Sequence, residues 1–122
     1  MSHIVTIQTQ VRDAVAVVAA CGQLKWRPPQ FGNHRLFVTS VNGLAVYAPS
    51  WRFPIVCDLP SGKLHYDNYG GLWGNEQELN RFKQRYAVEK ATREARRLGR
   101  SVLEQALADG TVKLTISAGA DA

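Results

Sequence analysis

The stretch from Asn75 to Leu98 limits what this 122-residue chain can become more than any other, because it reads as one uninterrupted helix. Asn75 is a suitable N-cap, and Glu78 stands where the acid of a capping box belongs. Arg96 and Arg97 complement the helix dipole in the last turn, and Gly99 supplies the stop. At 1.5 Å per residue the rod is roughly 35 Å long, as long as a small domain is wide. Its apolar positions change face midway. Leu79, Phe82 and Tyr86 share one side at 100° per residue, whereas Ala87, Ala91, Ala95 and Leu98 share another. The alanine half either packs very closely on something or projects beyond the core.

The rest of the chain alternates short apolar runs with turn signals. His3–Val11 has strand periodicity. Asp13 is an N-cap for a helix over Ala14–Cys21, with Val15, Val18 and Ala19 as its buried stripe and Gly22 as its end. Trp26–Gly32 contains Pro28 and Pro29, which remove two successive backbone donors, so a loop is expected. Asn42-Gly43 predicts a hairpin between strands Arg35–Thr39 and Leu44–Tyr47. Pro60-Ser61-Gly62 predicts a second between Phe53–Asp58 and Lys63–Tyr66, and Asp109-Gly110 a third between Ser101–Leu107 and Thr111–Ser117. The order β-α-β-β-β-β-α-β-β defines an α+β fold, a mainly antiparallel sheet with two helices on one face. One domain over residues 1–117, with 118–122 as a frayed tail, fits a chain of this length.

Charge is concentrated on the long helix. Residues 81–100 carry eight cations against Glu89 and Glu94, a local charge of +6, so the remainder sums to −1. Arg85, Arg93, Arg96, Arg97 and Arg100 are therefore candidate contacts for an acidic protein partner or a nucleic acid. A plain solvated face with Glu89–Arg93 and Lys90–Glu94 pairs is the structural alternative. The glycine-rich segment Tyr66–Gly74 lacks the Gly-Lys-Ser/Thr of a phosphate loop. Trp51, Tyr66, Tyr69 and Trp73 around it are either the wall of a ligand or peptide site or aromatics that close the core.

Signals for chemistry are thin. His3, His34 and His65 are isolated, and no Cys-x-x-Cys or His-x-x-x-His spacing suggests a metal site. Cys21 and Cys57 read as buried free thiols, with a Cys57–His65 nucleophile and base across the second hairpin as a minor alternative. No cofactor is expected. The start lacks a secretory pattern, and no apolar run approaches ~20 residues, so the expected setting is the cytoplasm, away from membranes.

Three pieces carry a family resemblance: Met1-Ser2-His3-Ile4 with Thr6 and Thr9, the segment Gln84-Arg85-Tyr86-Ala87, and Asp109-Gly110-Thr111-Val112-Lys113-Leu114. Together they resemble the hypothetical chloroplast reading frame thirty-five family, a domain of unknown function in cyanobacteria, plastids and other bacteria. The resemblance implies no catalytic residues. It implies an accessory or adaptor role, since genes of that family sit near those for AAA+ ATPases and for another small accessory protein. The expectation is thus a non-enzymatic adaptor that binds a protein, an AAA+ ATPase being one partner class, through its basic helix. The alternatives are a nucleic-acid-binding module on the same helix and loop aromatics, and a small enzyme.

Overall fold

The structure is a computed structural model and describes residues 4–117. The expected tail and His3, the first residue of the expected opening strand, lie outside the described residues. Strand β1 covers Val5–Gln8, helix α1 Ala14–Gln23, β2 Arg27–Arg35, β3 Ser40–Tyr47, β4 Ile55–Asp58 and β5 Lys63–Tyr66. A 3-10 turn at Tyr69–Gly71 leads to helix α2, Glu76–Arg97, and the chain ends in strands β6, Ser101–Ala106, and β7, Val112–Ser117. The α+β class and the element order match the sequence reading.

Strands β1 to β5 form one antiparallel sheet in the order β1-β5-β4-β3-β2. Its inner face presents Leu44, Val46, Ile55, Cys57, Leu64 and Tyr66 to both helices. Helix α1 contributes Ala16, Val17, Ala20 and Cys21 to that core, and α2 contributes Leu79, Phe82 and Tyr86. The expected α1 stripe is displaced: Val15 and Val18 are half exposed. The small side chains face inward because α1 packs against α2 as well as the sheet, and alanines let two helices approach closely. Gly22 lies within the last turn of α1 rather than ending it.

Three local expectations change in the sheet. Pro28 and Pro29 belong to β2, not to a loop. They are tolerated because β2 is an edge strand and because the register shifts between Arg27 and Gln30, where the prolines owe no ladder bonds. The turn between β2 and β3 is at Leu36–Thr39, closed by Leu36 N–H donating to Thr39 O at 2.7 Å, so Phe37 and Val38 form its tip. Asn42-Gly43 lies inside β3. Among the described residues only Lys25 and Tyr69 are non-glycines with positive φ, so Asn42 lacks the left-handed backbone that a type I′ turn requires. Gly43 is needed for a close approach instead. A Cβ there would sit 2.5 Å from Cys57 O and 2.9 Å from a Val56 methyl.

The tip of the β2–β3 hairpin reaches aromatics from distant parts of the chain. Phe37 reaches Trp73 at 5.0 Å and Phe53 at 6.3 Å between ring centroids, although Phe53 follows the opposite end of β3. Leu36, Ala45 and Val56 are fully buried, yet none belongs to the helix-side core. Ala45 and Val56 are direct partners across β3 and β4 on the face of the sheet away from the helices.

Helix α2 begins and ends as its sequence implies, with Asn75 accepting from Gln77 N–H at 2.8 Å and Gly99 at φ 76. Glu78 does not close a capping box; its carboxylate accepts from Ser50 N–H at 3.1 Å and so ties α2 to the β3–β4 loop. The face opposite Leu79 and Phe82 is also covered. Val88 and Ala95 are buried there, while Ala87 is exposed and Leu98 is largely so. The covering element is the β6–β7 hairpin, a separate two-stranded sheet.

Two substitutions separate the roles of neighbouring residues in β3. Gly43→Ala is expected to lose about 2 kcal/mol through overpacking against β4, whereas Asn42→Ala changes stability by less than about 0.5 kcal/mol. Urea denaturation of both variants measures this; equal losses would restore Asn42-Gly43 as a coupled turn.

Candidate functional site

The cations of α2 divide into those that hold the fold together and those that do not. Arg85 is a tether. Its guanidinium donates to Glu89 at 2.7 Å and to both oxygens of Glu104 on β6, with most of its side chain covered. Lys90 donates to Asp13 at 3.1 Å and to Glu94 at 3.2 Å, linking α2 to the cap of α1. Asp13 itself accepts from Val15 and Ala16 N–H. Burial works against the Asp13 carboxylate, but the Lys90 hydrogen bond and these amides leave it below the usual aspartate range. Arg97 pairs with Glu94 at 2.6 Å.

Arg93, Arg96 and Arg100 are exposed and make no ion pair among the described residues. The reason is geometric. The α2 face that carries Leu79, Phe82 and Tyr86 continues as Lys90, Arg93 and Arg97 once the helix passes the edge of the core. Arg93, Arg96 and Arg97 line a shallow depression with Asp13 and Glu94. Of the residues proposed from sequence, three thus lie at the C-terminal end of α2 and Arg100 just beyond it, while Arg85 stands apart in a structural bridge.

The loop aromatics also divide. Trp51 and Tyr66 pack edge to face at 5.3 Å at the end of the main core, and Trp51 Nε1 donates to Asn75 O at 3.0 Å. Gly74 lies so close to the Trp51 indole that a Cβ would overlap the ring. Tyr69 stacks on Trp73 at 4.6 Å, and Trp73 meets Phe37 and Phe53, supporting the tip of the β2–β3 hairpin. Trp51 and Tyr66 are core; Tyr69 and Trp73 form the partly exposed outer rim.

A further cationic surface was not singled out from sequence. Lys25, at the end of α1, Arg27, at the start of β2, and Arg52, in the β3–β4 loop, line one open cleft of about 460 Å³. These three residues are separated in sequence and belong to no charge run; the turn at Lys25 and the pairing of Arg27 with Tyr47 help bring them together.

The imagined thiol–imidazole pair is not formed. Cys57 pairs with Leu64 and faces the helices, whereas His65 pairs with Val56 on the outer face and contacts Thr6 Oγ1 at 2.9 Å. Burial pushes the Cys57 thiol up to about 12 and the Cys21 thiol up to about 11, so both stay neutral near pH 7. No cluster of three metal-ligating side chains occurs among the described residues. No helix among them is long and apolar enough to cross a membrane.

Neither family models, nor curated proteins, nor solved structures yield a match to this chain.

The Arg85 bridge has a pH signature. The hydrogen bond from Arg85 holds Glu104 below the usual glutamate range. A carboxylate lowered in the folded state contributes stability above its unfolded pKa, about 4.3, and loses it as pH falls through the folded value. Amide exchange in β6 and β7 is therefore expected to accelerate below about pH 4, relative to the main sheet, when corrected for intrinsic rates. Glu104→Gln should remove that differential; an unchanged profile would show that the bridge does not hold the hairpin.

Proposed function

We propose that the protein is a non-catalytic adaptor that docks an acidic segment of a protein partner on the C-terminal half of α2. The observation that supports this is a separation of roles along and just beyond the helix: Arg93, Arg96 and Arg100 are exposed and pair with no carboxylate among the described residues, while Arg85 and Lys90 hold neighbouring elements. Asp13 and Glu94 line one depression with Arg93, Arg96 and Arg97. A surface of mixed sign suits a protein segment better than a continuous phosphate chain, which those carboxylates would repel. The resemblance noted above makes an AAA+ ATPase the first partner class to test, in a cytoplasmic setting.

Charge reversal at Arg93, Arg96 and Arg97 should weaken capture of the partner at least tenfold and leave the melting temperature within a few degrees, because exposed substitutions usually shift stability by less than about 0.5 kcal/mol each. Affinity capture from native lysate with and without nuclease, followed by titration of the recovered partner against salt, checks it. A partner that survives nuclease and shows a shallow salt slope supports the adaptor. A steep slope with nuclease-sensitive capture would assign the surface to nucleic acid, and unaltered capture by the triple variant would leave α2 a solvated face.

A further inference from the structure

The cleft at the junction of α1, β2 and the β3–β4 loop has no part in the adaptor surface, and its construction points to a different ligand. Helix α1 closes with Trp26 N–H donating to Cys21 O at 2.9 Å, which places Lys25 at the corner with φ 60. Glycine is the usual residue at such a left-handed helix end, so a lysine there keeps a strained backbone and gains a cation at the mouth of the cleft. Arg27 follows at once, and its guanidinium lies over the Tyr47 ring with its carbon 4.1 Å from the centroid. Arg52 is fixed by its N–H donating to Trp73 O at 2.8 Å, with its guanidinium 4.9 Å from the Trp73 ring.

Three properties combine here. The lining contains three cations and no carboxylate, and none of the three makes an ion pair among the described residues. Trp26, Tyr47, Trp51 and Phe53 supply aromatic walls. The volume, about 460 Å³, lies within the range of small-molecule sites. Like charges gathered in one concavity repel one another, and a bound dianion relieves that repulsion. The Arg27 guanidinium, held with its carbon 4.1 Å from the Tyr47 ring centroid, offers a planar platform of the kind on which nucleobases stack. An acidic peptide would satisfy the cations but would leave the platform unused.

We infer that this cleft binds a nucleotide unit, with the base stacked on Arg27 and the phosphate between Lys25 and Arg52. The unit is either a free nucleotide or one residue of a single strand, and the same chemistry serves both.

Quenching of intrinsic tryptophan fluorescence in the full chain tests the inference with three probes: AMP, ribose 5-phosphate and a ten-residue oligoadenylate. Saturable AMP binding is expected, at least tenfold tighter than ribose 5-phosphate. Arg27→Lys should keep the ribose 5-phosphate affinity while abolishing the advantage of AMP, since an ammonium carries the charge without the plane. Arg52→Gln should weaken both phosphates alike, and it keeps the test available if Arg27 variants fold poorly. Oligoadenylate binding far tighter than AMP would identify a single strand as the source, and comparable binding a free nucleotide; both support the site. No saturable binding of AMP or oligoadenylate, equal affinity for AMP and ribose 5-phosphate, or an Arg27→Lys variant with an undiminished AMP preference would overturn it. The triple reversal on α2 should leave AMP binding unchanged, so failure of the adaptor reading and failure of this one are separable; loss of AMP binding in that variant would move the phosphate contact to α2 and overturn the cleft.

Discussion

Helix α2 is buried on two opposite faces, and the remaining elements are arranged by that requirement. On one side Leu79, Phe82 and Tyr86 enter the core shared with α1 and the sheet. Each such side chain contributes about 1.5–3 kcal/mol on burial, so this face anchors the helix. On the other side Val88 and Ala95 are too small to anchor much, and they allow the β6–β7 hairpin to lie close. The Tyr86 hydroxyl adds direction: it accepts from Arg12 and Asp13 N–H, both at 3.1 Å, and donates to Gln10 O at 3.3 Å. One phenol thereby sets the path of the chain from β1 into α1.

That arrangement reshapes the electrostatics. A linear count makes α2 a basic rod, but packing recruits carboxylates from elsewhere. Glu104 arrives with the hairpin and takes Arg85; Asp13 arrives with α1 and, with Glu94, takes Lys90. Of the cations left without a carboxylate among the described residues, Arg81 and Lys83 stand singly near the start of the helix, whereas Arg93, Arg96 and Arg100 gather at and just beyond its C-terminal end. Binding potential on a charged helix is thus a matter of which charges remain uncompensated after folding, and total charge is a poor guide to it.

The cleft at the other end of the molecule is the converse case. No segment near Lys25, Arg27 or Arg52 is conspicuously basic, and the residues come from a helix end, an edge strand and a loop. Cross-strand pairing of Arg27 with Tyr47 and the turn at Lys25 gather them into one concavity without a counter-charge. Aromatic side chains both build this region and limit it. Trp51 is largely consumed by its contact with Tyr66 and Gly74, while Arg27 and Tyr47, which line the same cleft, lie against each other.

Sequence by itself determined the features whose causes are local. The caps of α2, the turns at Pro60-Ser61-Gly62 and Asp109-Gly110, and the order of strands and helices depend on residues within a few positions of one another, and they were legible for that reason. Tertiary structure decided the rest. Asn42-Gly43 has the composition of a turn but lies in a strand, because Gly43 must pass within contact distance of β4. Pro28-Pro29 has the composition of a loop but lies in a strand, because β2 is an edge whose ladder can skip two donors. Which valines of α1 are buried, which arginines of α2 are neutralised and which cations share a cleft all depend on partners far away in the chain. The energies that settle them are contacts and desolvation between elements, and these come into existence only once the elements have packed.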